Sequence, residues 1–163
     1  MDNSKIRFLT TAGFFFALSA SAMADSTTVN ISLWDKGQDK PLATNLDLVS
    51  MKVMDMHMVN MGVKLSAEKV KAGTVTFQVT NDSKGTIHEM LVIPLKDGFD
   101  GPAINDKEVK IDEETAGDLG EVAELEPGKN GSLTLELKPG RYLLACNIAG
   151  HYMNGMWSLL TVE

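Results

Sequence analysis

The chain has a single cysteine, Cys146, and only three histidines, His57, His88 and His151. One cysteine excludes an intramolecular disulfide framework. Basic residues are in the minority, 15 Lys and Arg against 22 Asp and Glu, for a formal charge of −7. An acidic balance of this kind excludes nucleic acid and anionic membrane surfaces as partners, and leaves cations, metals and proteins with basic patches. After the first two dozen residues no apolar run is long enough to span a bilayer, so no membrane is expected. Sustained helical periodicity, internal repeats and low-complexity tracts are also missing. At 163 residues there is room for one ordinary domain and not for two comfortable ones.

What is present begins with a leader. Lys5 and Arg7 give a positive start, Phe14-Phe15-Phe16-Ala17-Leu18 lie in an apolar run, and Ala22-Met23-Ala24 forms a small-x-small site before Asp25. This is the layout of a secretory signal peptide over residues 1–24, which predicts export to the periplasm and a mature domain over residues 25–163. Loss of Asp2, Lys5 and Arg7 takes the formal charge from −7 to −8.

The mature part reads as strands. Val29, Ile31 and Leu33 alternate with polar residues, as do Val75, Phe77 and Val79, and again Leu133, Leu135 and Leu137. A long strand region is expected over residues 46–65 and a turn over 69–73. Further strands are expected over 87–93, 141–146 and 157–162. Asn81-Asp82-Ser83-Lys84-Gly85 and Pro139-Gly140 supply turn chemistry. Short strands with turns between them predict an all-β, antiparallel β-sandwich. Residues 95–127 break the rhythm. They are acidic, poor in apolar periodicity, and read as an excursion between two strands with a short helix near 113–125 and a solvated face.

A lone thiol in an oxidising compartment is exposed to oxidation unless it is buried or bound as a thiolate to a metal. The residues after Cys146 favour the metal. His151 and Met156 follow at Cys-x4-His-x4-Met in a loop between two expected strands, with Gly150 and Gly155 each preceding a candidate ligand where the backbone bends. Thiolate and imidazole in a trigonal arrangement with a weak axial thioether suit copper. The trigonal set needs a second histidine, from His57 or His88. If the strand at 141–146 runs parallel to that at 74–80, His88 and Cys146 lie at the same end of the sandwich, which favours His88.

The segment 146–157 resembles the copper loop of the cupredoxins, with the spacing of the rusticyanin-like members. The stretch 70–94, with Gly73-Thr74-Val75-Thr76-Phe77 and His88-Glu89-Met90, is similar to the upstream half of exported bacterial cupredoxins. The resemblance runs from about Val49 to the end. It implies a Greek-key β-sandwich, one copper per chain, equatorial ligands His88, Cys146 and His151, and an axial ligand Met156. It also implies a monomeric periplasmic one-electron carrier, not an enzyme, that works with a redox partner protein.

One feature favours a different class. Met51, Met54, Met56, Met58 and Met61 crowd one stretch around His57. On a strand, Met54, Met56 and Met58 share a face opposite Asp55 and His57. Flexible thioethers fill gaps in cores, and core packing is the favoured reading. Thioethers also select Cu(I). A second, weak Cu(I) site at Met54, Met56 and Met58 would point to a copper-handling protein of resistance, scavenging or delivery.

Overall fold

The structure, a computed structural model, describes residues 26–37, 60–96, 98 and 101–163. The leader, His57 and the Met54, Met56, Met58 face lie outside them, as does most of the strand expected over 46–65.

The alternating segments form the two layers of a sandwich. One sheet contains β1 (Thr27–Asp35), β2 (Met61–Leu65), β4 (Gly73–Asn81) and β9 (Asn130–Leu137), in the order β2-β1-β4-β9. The other contains β3 (Lys69–Val70), β5 (His88–Leu95), β8 (Glu121–Leu125), β10 (Gly140–Ala145) and β11 (Trp157–Val162), in the order β3-β11-β10-β5-β8. A small ribbon of β6 (Ile104–Asn105) and β7 (Lys110–Ile111) and a one-turn helix α1 (Glu113–Ala116) complete the described elements. The chain changes sheet between β2 and β3, β3 and β4, β4 and β5, β8 and β9, and β9 and β10, an interleaving in keeping with the expected Greek key. Two pairings depart from a purely antiparallel sandwich. β1 runs parallel to β4, and β3, inside the turn expected over 69–73, runs parallel to β11.

Every second residue of the alternating strands points between the sheets. Val29, Ile31, Leu33, Val75, Phe77 and Val79 meet Met90, Val92, Leu144, Leu160 and Val162 there, all within 3% of full burial. At one edge β8 lies against β9, and a Cβ on Gly131 would overlap the Val122 side chain, so glycine is what permits that approach.

The excursion proves to be a second wall. β5 and β10 are buried on both faces. Leu91, Ile93, Leu143, Ala145 and Trp157 form an outer core that Ile104, Ile111, Ala116 and Tyr152 cover. The expected helix over 113–125 is corrected accordingly. Only Glu113–Ala116 is helical, with Asp112 capping it through Thr115 N–H and Gly117 (φ 65°) ending it. Residues Glu121–Leu125 are a strand, because their backbone completes the edge of β5 across a bulge at Glu89.

Candidate metal centre

Three strand ends and one loop converge at the same end of the sandwich. β10 runs antiparallel to β5, with Ala145 opposite Leu91, so the exit of β10 lies beside the entrance of β5. That puts Cys146 next to His88, as strand direction predicts. Asn81, fully buried at the end of β4, shapes the turn into β5. Its Nδ2 donates to the carbonyls of Thr86 and Leu125, and its Oδ1 accepts from Ser83 N–H.

The loop from β10 to β11 carries the remaining candidates. His151 precedes a 3₁₀ turn (Tyr152–Asn154) that Gly155 closes at φ 90°, and Gly150 sits at φ 79°. Both glycines occupy left-handed backbone, which L side chains adopt at a cost. The loop then folds back on itself. Cys146 N–H donates to Met156 O at 2.9 Å, and Met156 N–H donates to His151 O at 3.1 Å. Met156 is fully buried in the same cluster as Cys146, whereas Met153 is 44% exposed.

Cys146, His88 and His151 are all buried, and their donor atoms lie within 4.8 Å of one another, the only such group of three among the described residues. Nδ1 of His88 is 3.2 Å from Nδ1 of His151. Cys146 Sγ is 3.3 Å from Nδ1 of His151 and 3.9 Å from Nδ1 of His88. A point equidistant from the three atoms lies about 2.0 Å from each. Metal–imidazole bonds are roughly 2.0–2.1 Å and metal–thiolate bonds roughly 2.3 Å, so the triangle is of the size a transition-metal ion fills.

The surroundings orient the donors. Asp35 ends β1, and its Oδ2 lies 3.2 Å from His88 Nε2, with the His88 side chain fully buried. Burial opposes ionisation of Asp35, but hydrogen bonds from Gly37 N–H, Thr86 and His88 outweigh it and hold the carboxyl below its ordinary range. An ionised Asp35 accepts from His88 Nε2–H, which leaves the Nδ1 lone pair facing the site. Burial lowers the His88 pKa against the pull of Asp35. Burial, aided by the adjacent His88, lowers that of His151 to about 4. Both imidazoles are therefore neutral at pH 7 and able to donate lone pairs. The Cys146 thiol is pushed up to about 12 by burial, although the amides of Glu89 and Ile148 favour the thiolate. The Glu89 N–H lies 3.5 Å from Sγ. A buried thiol beside two neutral imidazoles ionises readily only if a cation joins them, so the donor set fits a thiophilic metal ion.

Of the four residues expected from sequence, the structure brings His88, Cys146 and His151 together and ties the Met156 backbone to two of them. Asp35 and Asn147 were not anticipated. Asp35 is 53 positions from the histidine it orients, a separation at which sequence offers no signal. Asn147 directly follows Cys146, and its side chain bonds to the excursion.

Comparison with known proteins bears on the fold. Residues 122–163 match the family model of the Sulfocyanin (SoxE) domain. No curated protein sequence matches the chain significantly. Among solved structures, auracyanin from the photosynthetic bacterium Roseiflexus castenholzii aligns at 18% identity over 84% of this chain and 97% of its own, with a TM-score of 0.50. Auracyanin B aligns at 21% identity over 88% and 93%, with a TM-score of 0.51. Rusticyanin from Thiobacillus ferrooxidans aligns at 16% identity over 85% and 77%, with a TM-score of 0.55. The chain therefore has the cupredoxin fold, and the likeness to blue copper proteins read from its Cys146–His151–Met156 loop holds.

Proposed function

We propose that the protein binds one copper ion through His88, Cys146, His151 and Met156 and carries single electrons in the periplasm as a monomer. The observation that carries this reading is the buried triangle of donor atoms, equidistant from a point about 2.0 Å away. The neighbouring folds support it. Auracyanin and rusticyanin were both determined in reduced form, and rusticyanin is described as a copper protein. Copper alternating between two oxidation states would supply the one-electron chemistry.

The chain's own residues supply the rest. Asp35 holds the His88 tautomer, and the Glu89 and Ile148 amides steady the sulfur. The loop's backbone bonds fix Met156 to Cys146 and His151, so the donors need little rearrangement between redox states. Burial keeps water from the site, and His151, at 8% exposed, lies nearest the surface among the three converging donors and is the edge through which a redox partner would exchange electrons. With four side chains as ligands no position would be open for a substrate, so the reading is a carrier and not an enzyme. The leader over 1–24 supports export.

The rival reading, copper handling, rests on Met54, Met56 and Met58. Anaerobic titration with Cu(I) separates the two. The carrier reading expects one equivalent bound by wild type and by the variant with all three methionines changed to Leu. Two equivalents in wild type and one in the variant would favour copper handling.

A further inference from the structure

We propose that Asn147 is a positioning residue, the latch by which the excursion holds the Cys146–His151 segment at ligand spacing; this rests on the copper-site reading above. Asn147 is 1% exposed and directly follows Cys146. Its side-chain amide behaves like one rung of a strand. Oδ1 accepts from Ile111 N–H at 2.6 Å, and Nδ2 donates to Ile111 O at 3.2 Å. Nδ2 also donates to Glu113 Oε1 at 2.7 Å, at the start of α1. Both the donor and the acceptor capacity of the side chain are thus spent on the excursion.

A second anchor lies three residues on. Gly150 N–H donates to Val109 O at 2.8 Å. Val109 is the one non-glycine residue with positive φ among the described residues, at 55°, and its side chain is 42% exposed. Left-handed backbone is an outlier for a β-branched residue. Val109 closes the β6–β7 turn, its N–H donating to Asn105 O at 2.8 Å, and the same conformation presents its carbonyl to Gly150. The two anchors bracket residues 147–150, the whole of the spacer between the thiol and the imidazole. The excursion can act as a fixed support because Ile111 and Ala116 are seated on the outer core over Leu91, Ile93 and Leu143. On the opposite side the loop is tied to Met156. The segment is therefore clamped from both sides, and the 3.3 Å separation of Cys146 Sγ and His151 Nδ1 depends on the outer clamp as well as the inner one.

The test uses Asn147→Ala, which removes all three bonds, Asn147→Asp, which keeps the acceptor and loses the donor, and Asp112→Ala as a control. The control removes the α1 cap, the bond from Thr115 N–H to Asp112 Oδ1, and none of the three Asn147 bonds. In metal-free protein, hydrogen exchange at the Gly150 amide should accelerate by about tenfold or more in Asn147→Ala, with the β10 ladder amides unchanged. In copper-loaded protein the relative intensities of the thiolate-to-copper bands should change and electron self-exchange should slow, with Asn147→Asp intermediate and Asp112→Ala like wild type. Unaltered copper spectra and self-exchange in Asn147→Ala would overturn the proposal even if its exchange rate rises, as would an unchanged Gly150 exchange rate. Should Asn147→Ala fail to fold, the same two readouts on Asn147→Asp decide. A wild type without any thiolate–copper band would sink the copper site instead, while Gly150 exchange would still report whether the excursion holds the loop.

Discussion

Glu89 presents the most unusual ionisable group beside the site, and its effect on stability can be worked through. It is 6% exposed at the start of β5. Burial raises its pKa from 4.5 to about 7, with Lys110 opposing and Glu121, Glu113 and Glu124 adding to the rise. A carboxyl whose folded pKa is raised binds more protons folded than unfolded at pH values between the two. Its contribution is thus favourable and complete below about 4.5 and is lost as the pH climbs to about 7. A shift of this size corresponds to roughly 3 kcal/mol of stability lost by pH 8. Glu89→Gln keeps the shape and cannot ionise. In metal-free protein under chelator, the variant should match wild type within about 1 kcal/mol at pH 4.5 and exceed it by roughly 2–3 kcal/mol at pH 8. Urea unfolding of both proteins across that range measures the difference directly. The pH dependence of His88 and His151 is common to the two and cancels. A stability difference that does not change with pH would refute the reasoning, and would mean that the Glu89 carboxylate is ionised and solvated at neutral pH.

The other predictions concern the ligands. His88→Ala should abolish the copper spectrum while His57→Ala leaves it nearly intact, and the reverse would place the second histidine at His57. Asp35→Ala frees the His88 imidazole and should weaken copper binding by about tenfold to a hundredfold in a competition titration. Met156→Leu should retain copper and raise the redox potential in voltammetry, because a weak donor to the oxidised ion is lost, whereas Met153→Leu, on an exposed side chain, should leave it unchanged.

The inner faces of the sandwich were legible because their periodicity is unbroken. Val29, Ile31 and Leu33, and Val75, Phe77 and Val79, each alternate with polar neighbours and all face the core. The convergence of Cys146 and His151 was legible because soft donors at fixed spacing are chemically rare. The outer core was not. Leu91, Ile93, Leu143 and Ala145 are buried by a segment whose own apolar residues, Ile104, Ile111 and Ala116, follow no period and are diluted among acids. β8 offers only Val122 and Leu125 as apolar side chains facing inward, and its pairing with β5 is bulged, so its pattern reads as neither strand nor helix. Asp35 and Asn147 act through contacts across 53 and as many as 36 positions. Such contacts depend on which strand ends and loops meet, and that is a property of the topology.

The central claim is that Cys146 delivers a thiolate to copper between His88 and His151. The visible absorption spectrum of the copper-loaded protein tests it most directly, measured on wild type and Cys146→Ala side by side. An intense thiolate-to-copper band at one copper per chain, absent from Cys146→Ala with copper affinity sharply reduced, is the predicted result. An identical visible spectrum in the two proteins would contradict the site.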